Sequence, residues 1–310
     1  MKWKKWSIFI NQLNNGKTMK RKYLLSAVIL LLVSSCVQPN KKVGKSGEKS
    51  TTDTLLQKNY EYISTLRLTV GESKRLIAKG IAANKEVRER LANGMVIITL
   101  GTTNTYIAEE LTGLNVPRGS FVTGRIYPGY KEDFQKGMKR RSEIILIKGK
   151  VMDMRYTDAL SKMEPQDIVF KGANMLNYAK RQAAVCTGAP DGGTVAKLRR
   201  YTDKGRGRWI CPVGLEKDIT QDLFDIQKIT NNSSAERSNT VKLNVTENNI
   251  YTEIEAVKEF ADVDVFVTAK GGVDGAEGGV SLLVCGPKAE VQKVEAVIKQ
   301  VSGEPDFLKK

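Results

Sequence analysis

Short apolar runs that end in polar, glycine-containing turns constrain the fold of this chain more than any other feature. The clearest run, residues 95–100, is rich in β-branched side chains and is followed by Gly101. Further runs occupy residues 142–148, 167–170, 182–187 and 208–212. Nearly continuous apolar strands are typical of parallel sheets that are buried on both faces. Because helical stretches fall between several runs, the sequence predicts an α/β fold with a mostly parallel sheet and helices on both faces.

The segments around these runs suggest how the chain is divided. Thr69 and Glu72 form a capping-box pattern, and apolar residues at helical spacing as far as Leu91 predict a helix over about 70–92. A polar stretch rich in Asn and Ser begins at residue 231 and resembles a linker. The sequence therefore predicts an α/β domain over residues 55–230 and a small α+β C-terminal unit over 231–310.

The N-terminal segment has the order of a secretory signal. Met19 is followed by three basic residues, an apolar stretch over 24–33, two serines and Cys36. An apolar stretch of about ten residues is short for a permanent bilayer span, which needs roughly 20. An uncleaved anchor with an incidental cysteine is the alternative interpretation.

The motif that ends in Cys36 resembles the lipobox of bacterial lipoproteins. This resemblance implies lipidation of Cys36 and attachment to the bilayer of the cell membrane or outer membrane, facing the periplasm or the exterior. We therefore expect residues 1–18 to lie upstream of the true start, 19–35 to form the signal peptide, and 36–54 to form a flexible tether.

Charge and composition exclude several function classes. The formal net charge is +16, but residues 1–50 hold 11 Lys and Arg and one acid, so +10 of the +16 lies in these first 50 residues. This distribution argues against nucleic acid as a partner. The chain has no histidine, which excludes histidine-activated nucleophiles and histidine-ligated metals. The sequence predicts neither a metal site nor a cofactor, and it does not define an oligomeric state.

The remaining cysteines indicate core packing rather than a disulfide framework. Cys186, Cys211 and Cys285 are an odd number and lie far apart in sequence, each in or beside an apolar run. Buried cysteine behaves as a small apolar side chain. A single disulfide bridge is the alternative.

Two of the turns carry candidate anion contacts. Gly101, Thr102, Thr103 and Asn104 lie where a strand ends and a helix begins, and free backbone N–H groups favour an anion there. The alternative is a capped turn that needs no ligand. The second turn follows residues 167–170 and contains Lys171, Gly172 and Asn174. Lys171 would hold the anion and Asn174 would orient it, or both are ordinary solvated turn residues.

Two further turns carry candidate carboxylates. Asp191 stands with Gly192, Gly193 and Thr194 after the run 182–187, where glycine lets a ligand approach the backbone. Glu216 follows the run 208–212 and is the best-placed carboxylate for proton transfer, although an exposed glutamate often has no chemical role. A glycine-dense loop over 271–279 has no phosphate-loop spacing. In doubly wound sheets, ligands bind beyond the carboxyl ends of the strands, so the four turns are expected to converge.

Residues 94–111 and 167–174 carry a family resemblance. The first segment resembles the phosphate-loop region of ribose-5-phosphate isomerase and the Gly-Thr-Thr turn of sugar-phosphate-sensing domains in DeoR-type repressors. The second resembles the Asp-Gly-Ala-Asp-Glu turn of the isomerase. Over residues 70–230, this resemblance implies the fold shared by that isomerase, glucosamine-6-phosphate deaminase and the CoA-transferases. The isomerase has acids where this chain has Lys171, Asn174 and Met175, the deaminase uses a histidine, and Glu216 lacks the transferase motif.

Three functional hypotheses follow. In the first, a membrane-anchored lipoprotein binds a small anionic ligand, bearing phosphate or carboxylate, at the strand ends. In the second, an isomerase or transferase with an altered site uses Glu216 or Asp191 as its base and Lys171 as an electrostatic stabiliser. In the third, the fold is an inert structural or interaction module.

Overall fold

The computed structural model describes residues 58–308, except residues 125, 127, 131, 132 and 237. The expected upstream segment, signal peptide, lipidated Cys36 and tether all lie outside the described residues. The described residues from Asn59 onward form one compact unit. Within them, no helix is both long and apolar enough to cross a bilayer. Cys186, Cys211 and Cys285 are free thiols.

Twelve strands and eight α-helices make up this unit. The strands are β1 (Tyr62–Leu68), β2 (Met95–Ile98), β3 (Ile144–Ile147), β4 (Lys150–Met152), β5 (Ile168–Phe170), β6 (Met175–Asn177), β7 (Gln182–Thr187), β8 (Arg208–Pro212), β9 (Lys242–Glu247), β10 (Ile250–Tyr251), β11 (Asp264–Lys270) and β12 (Val280–Gly286). The helices are α1 (Val70–Ala83), α2 (Lys85–Asn93), α3 (Thr102–Thr112), α4 (Tyr156–Lys162), α5 (Gly193–Thr202), α6 (Leu223–Thr230), α7 (Glu253–Lys258) and α8 (Lys288–Val301), with a short 3-10 helix at Leu215–Lys217. These counts refer to the part of the chain that the structure describes.

A six-stranded sheet forms the centre of the fold, in the order β10-β8-β5-β2-β3-β4. The first four strands are parallel, and β3 and β4 add two antiparallel strands beside β2. All four residues of β2 are buried, so both faces of this strand are covered. The predicted α/β class with a mostly parallel sheet is confirmed.

The fold contains two further sheets, each with three antiparallel strands. One has the order β1-β12-β11 and the other β6-β7-β9. The separate C-terminal unit expected over 231–310 is not seen as such, because its strands are spread over all three sheets: β9 pairs with β7, β10 with β8, and β12 with β1. The polar stretch at residue 231 is therefore a connection inside the compact unit.

The predicted helix over 70–92 is two helices, and Asn84 explains the break. Thr69 and Glu72 form the expected capping box at the start of α1. Asn84 leaves helical geometry, and its side chain accepts a hydrogen bond from the Val87 backbone N–H, which caps α2. The Asn84 amide also donates to Glu259 at 2.7 Å. Helical spacing alone does not reveal such a break, because Val87 in α2 is buried as the apolar residues of α1 are.

Asp167 joins the starts of two neighbouring central strands. Its Oδ1 accepts a hydrogen bond from the Met95 backbone N–H at 2.8 Å, and its Oδ2 accepts one from the Glu164 N–H at 2.8 Å. Arg90 lies 3.4 Å from the same carboxylate. Asp167 is almost fully buried, and its Oδ1 satisfies the buried backbone N–H of Met95.

A charged cluster holds the end of the chain against α1 and α3. Arg75 pairs with Glu304 at 2.9 Å and with Glu109 at 2.7 Å, and Arg118 pairs with Glu304 at 3.0 Å. Both guanidinium groups also lie over the buried ring of Tyr106, at 4.8 and 4.0 Å from its centroid. These contacts fix α3, the helix whose first turn was predicted to bind an anion.

Candidate functional site

Three of the four predicted turns meet in one pocket. They follow β2, β5 and β8, which are neighbours in the central sheet and run parallel, so their carboxyl ends share one edge. The pocket has a volume of about 210 Å³, which suits a small ligand, since drug-sized ligands occupy roughly 300–1,000 Å³. The lining residues predicted from the sequence are Gly101, Thr102, Thr103, Asn104, Lys171, Gly172 and Asn174.

The first turn of α3 presents backbone donors to this pocket. Gly101 is the N-cap and has no side chain to occupy the helix start. Its own N–H donates to the Phe121 carbonyl at 2.9 Å, which fixes the turn. The N–H groups of Thr102, Thr103 and Asn104 have no acceptor among the described residues. Three orphan donors at the positive end of an 11-residue helix favour a negatively charged ligand.

Lys171 places a buried amine in the same pocket. Its backbone is held on both sides, because its N–H donates to the Ile210 carbonyl and its own carbonyl accepts from the Trp209 indole at 2.7 Å. The residue is only 8% exposed. No carboxylate or other acceptor among the described residues contacts its Nζ. Burial lowers the pKa of Lys171, and the nearby Lys217 ammonium lowers it further.

Lys217 is a second cation in the pocket, and the sequence analysis missed it. It lies in the short 3-10 helix after β8, and its Nζ donates to the Ala173 carbonyl at 2.8 Å. Burial lowers the pKa of Lys217, and the neighbouring Glu216 carboxylate opposes that shift. Its position beside Glu216 at a strand end was the available signal, but a lysine in a polar turn has the appearance of a solvated residue.

The two asparagines build the pocket through backbone contacts. The Asn104 amide donates to the carbonyls of Thr99 and Phe170, at 2.8 and 3.0 Å, and so ties β2 to β5. Asn174 donates to the Gly124 carbonyl and accepts from the Cys186 N–H. Asn174, expected to orient the anion, therefore uses one donor and its acceptor to hold the pocket walls together.

Gly172 permits a close approach between two strand ends. A Cβ atom at this position would lie 3.0 Å from the Pro212 carbonyl oxygen. That separation is shorter than ordinary van der Waals contact, so a larger residue would push apart the turns that carry Lys171 and Lys217. The glycine was predicted for ligand contact, and the structure adds this packing reason.

The turn after β7 does not line the pocket, and β7 itself belongs to the β6-β7-β9 sheet. Gly192, Gly193 and Thr194 begin α5 and do not line the pocket. Asp191 is exposed, accepts a hydrogen bond from the Gly193 N–H and lies 3.8 Å from Lys197. Apolarity indicated correctly that β7 is a buried strand, but it does not identify the sheet that a strand joins.

Other residues form the far wall that had been assigned to that turn. They come from the segment before β3 and from β7, and they are Val122, Thr123, Gly124, Ile126, Val185 and Cys186. The glycine-dense segment over 271–279 connects β11 to β12 and does not line this pocket.

Glu216 lies behind the pocket, in a buried ion pair. Its Oε1 is 3.0 Å from the Lys74 Nζ, and the two side chains are 12% and 5% exposed. Burial raises the pKa of Glu216, but Lys74 and Lys217 more than offset this and hold it below its ordinary value. Glu216 does not line the pocket, so the structure does not place it as a base for a ligand bound there.

Glu253 lies beside this pair and has the opposite shift. It is fully buried and accepts a hydrogen bond from the Leu215 backbone N–H at 3.0 Å. Burial, with Glu216 nearby, raises the pKa of Glu253 to about 7. The folded protein therefore retains a proton at pH values where the unfolded chain releases it.

We expect this proton to make stability fall as the pH rises from the ordinary glutamate pKa of 4.5 towards about 7. Over that range, Glu253 should cost about 1–3 kcal/mol of unfolding free energy. Glu253→Gln stays neutral and keeps an acceptor for the Leu215 N–H. In this variant, the contribution of residue 253 to the pH dependence of the unfolding free energy should vanish. Urea unfolding of both proteins at about pH 5 and about pH 7.5 measures the difference. Identical slopes would show that Glu253 titrates normally.

The described residues hold no group of three or more acidic or cysteine side chains suited to a metal ion. Comparisons of the chain with protein-family models, with curated proteins and with solved structures each found no match.

Proposed function

We propose that this chain is a lipid-anchored protein that binds a small oxyanion in the strand-end pocket. The observation that carries the proposal is Lys171, a lysine only 8% exposed that lines the pocket and has no ion pair with a carboxylate among the described residues. Burial disfavours the ammonium form of Lys171 in the empty pocket, and a bound phosphate or carboxylate supplies the opposite charge that stabilises it.

Two other features support an anion over a neutral ligand. The first turn of α3 offers three N–H donors without acceptors in the described structure, and Lys217 adds a second amine. Hydrogen bonds between ionised groups are roughly twice as strong as neutral ones. The pocket thus combines charge, oriented backbone dipoles and small size.

The composition of the pocket favours binding over isomerisation. No carboxylate is among the described residues that line it. Of the two expected bases, Glu216 is paired with Lys74 and Asp191 is exposed beside α5. The lipid anchor is proposed from the sequence alone, on the basis of the signal-like segment and Cys36.

The full-length chain should bind inorganic phosphate, measured by titration calorimetry after extraction in detergent. Lys171→Met should weaken phosphate binding roughly 10- to 100-fold, because it removes a charge-assisted hydrogen bond worth about 1.5–3 kcal/mol. Lys197→Met is the matched control: Lys197 is half exposed outside the pocket, so its loss should leave the affinity unchanged.

Cys36→Ser separates the anchor from the pocket. This variant should leave the membrane fraction and still bind phosphate with the affinity of the parent chain. If phosphate, sulfate and acetate all fail to bind the parent chain, or if Lys171→Met binds as well as Lys197→Met, the assigned pocket is wrong. Retention of Cys36→Ser in membranes would contradict the lipid anchor.

A further inference from the structure

We propose that Lys171 is an amine nucleophile that forms an imine with a small carbonyl compound bearing an acid group. The inference rests on the proposed anion-binding function and adds a covalent step to it. It names the substrate class as small oxo acids or phosphorylated aldehydes and ketones. Lys171 is then a catalytic residue rather than only an electrostatic contact.

The surroundings of Lys171 favour the neutral amine that this reaction needs. The groups that act on it electrostatically are Lys217, Cys211 and Glu143. Burial raises the pKa of the Cys211 thiol to about 12, so this neighbour is uncharged near neutral pH. Lys217 disfavours a second positive charge, whereas Glu143 favours one. A desolvated lysine next to another cationic group is a recognised form of activated amine.

The backbone fixes where this amine stands. Lys171 is the first residue after β5, and hydrogen bonds to Ile210 and from Trp209 hold its peptide groups. The pocket that it lines also contains the first turn of α3. A ligand whose acid group sits on those N–H donors would bring the rest of its atoms into a volume of only about 210 Å³ that includes the lysine. Holding two reacting groups in one small site lowers the entropic barrier to their reaction.

The step balances without a further reactant. The Lys171 nitrogen attacks the carbonyl carbon and forms a carbinolamine. The former carbonyl oxygen then leaves as water with the two amine protons, and a carbon–nitrogen double bond remains. Lys217, which lines the same pocket, can donate a proton to the departing oxygen and take one back from the former amine nitrogen.

Trapping of the imine with cyanoborohydride tests the proposal on the full-length chain. The protein is incubated separately with glyoxylate, pyruvate and glyceraldehyde 3-phosphate, reduced with cyanoborohydride, and examined by intact mass and peptide mapping. At least one compound should add a single reduced adduct, mapped to Lys171. Excess inorganic phosphate should suppress that adduct by competing for the α3 donors.

Variants distinguish this result from unspecific labelling. Lys171→Arg has no nucleophilic amine at this position, so it should give no adduct. Lys197→Arg should leave labelling of Lys171 intact. Phosphate binding without any adduct on Lys171, or adducts spread over surface lysines and insensitive to phosphate, would overturn the imine while leaving the anion site standing. If the parent chain does not bind phosphate, both the imine and the anion site are overturned.

Discussion

Lys74→Met is expected to destabilise the folded chain by about 3–5 kcal/mol, because it leaves the Glu216 carboxylate buried without its partner. The Lys74 side chain is 5% exposed and lies 3.0 Å from Glu216. The other Glu216 oxygen is buried and has no hydrogen-bond partner in the described structure. Lys217 is adjacent, but its amine donates to the Ala173 carbonyl on the pocket side. The loss is measured by urea unfolding at neutral pH.

A double variant shows whether the loss comes from the stranded charge. Lys74→Met combined with Glu216→Gln removes both charges and should recover most of the stability, since replacing both members of a buried pair is often neutral. The matched control is Lys228→Met, which breaks an exposed pair whose side chains are 76% and 68% exposed. That change should cost no more than about 1 kcal/mol. Equal losses in Lys74→Met and Lys228→Met would contradict the buried pair.

Asp167→Ala is expected to cost about 1–3 kcal/mol, because it removes the acceptor of one buried backbone donor. The Met95 N–H, which is buried, and the Glu164 N–H both donate to this carboxylate at 2.8 Å. Each buried donor left without a partner costs about 1–3 kcal/mol. The Arg90 guanidinium would also lose its partner.

A replacement of similar volume separates the loss of hydrogen-bond acceptors at Asp167 from the loss of side-chain volume. Asp167→Asn retains one acceptor oxygen and should lose about half as much as Asp167→Ala. Asp225→Ala, at an exposed pair with Lys228, should change the unfolding free energy by less than about 0.5 kcal/mol. If Asp167→Asn were as damaging as Asp167→Ala, the charge on Arg90 rather than the backbone donors would account for the loss.

The central strands could be predicted because burial on both faces leaves a direct trace in the sequence. The expected segments 182–187 and 208–212 match β7 and β8. Apolarity does not reveal which strands pair: β7 is as apolar as β8 but joins a different sheet. Strand partners depend on contacts between distant segments, which a single sequence does not record.

Part of the candidate site was predictable for a related reason. Polar turns after parallel strands must meet at one sheet edge, and this brought residues 101–104 and 171–174 together correctly. The errors concern charged side chains, whose direction depends on the packing around them. Glu216 and Lys217 are adjacent, but Glu216 pairs with Lys74 behind the pocket and Lys217 lines it. The sequence analysis selects Glu216 as a candidate site residue and does not select Lys217.

The pairing of β1 with β12 has a consequence for synthesis. Tyr62 faces Gly286 in this pairing, so over two hundred residues must be made before the first strand meets its partner. At about 5–20 residues per second, that wait is on the order of 10–40 s. During the wait, β1 has an unpaired edge that other chains can add to. β12 must therefore be synthesised before this edge of β1 can be paired.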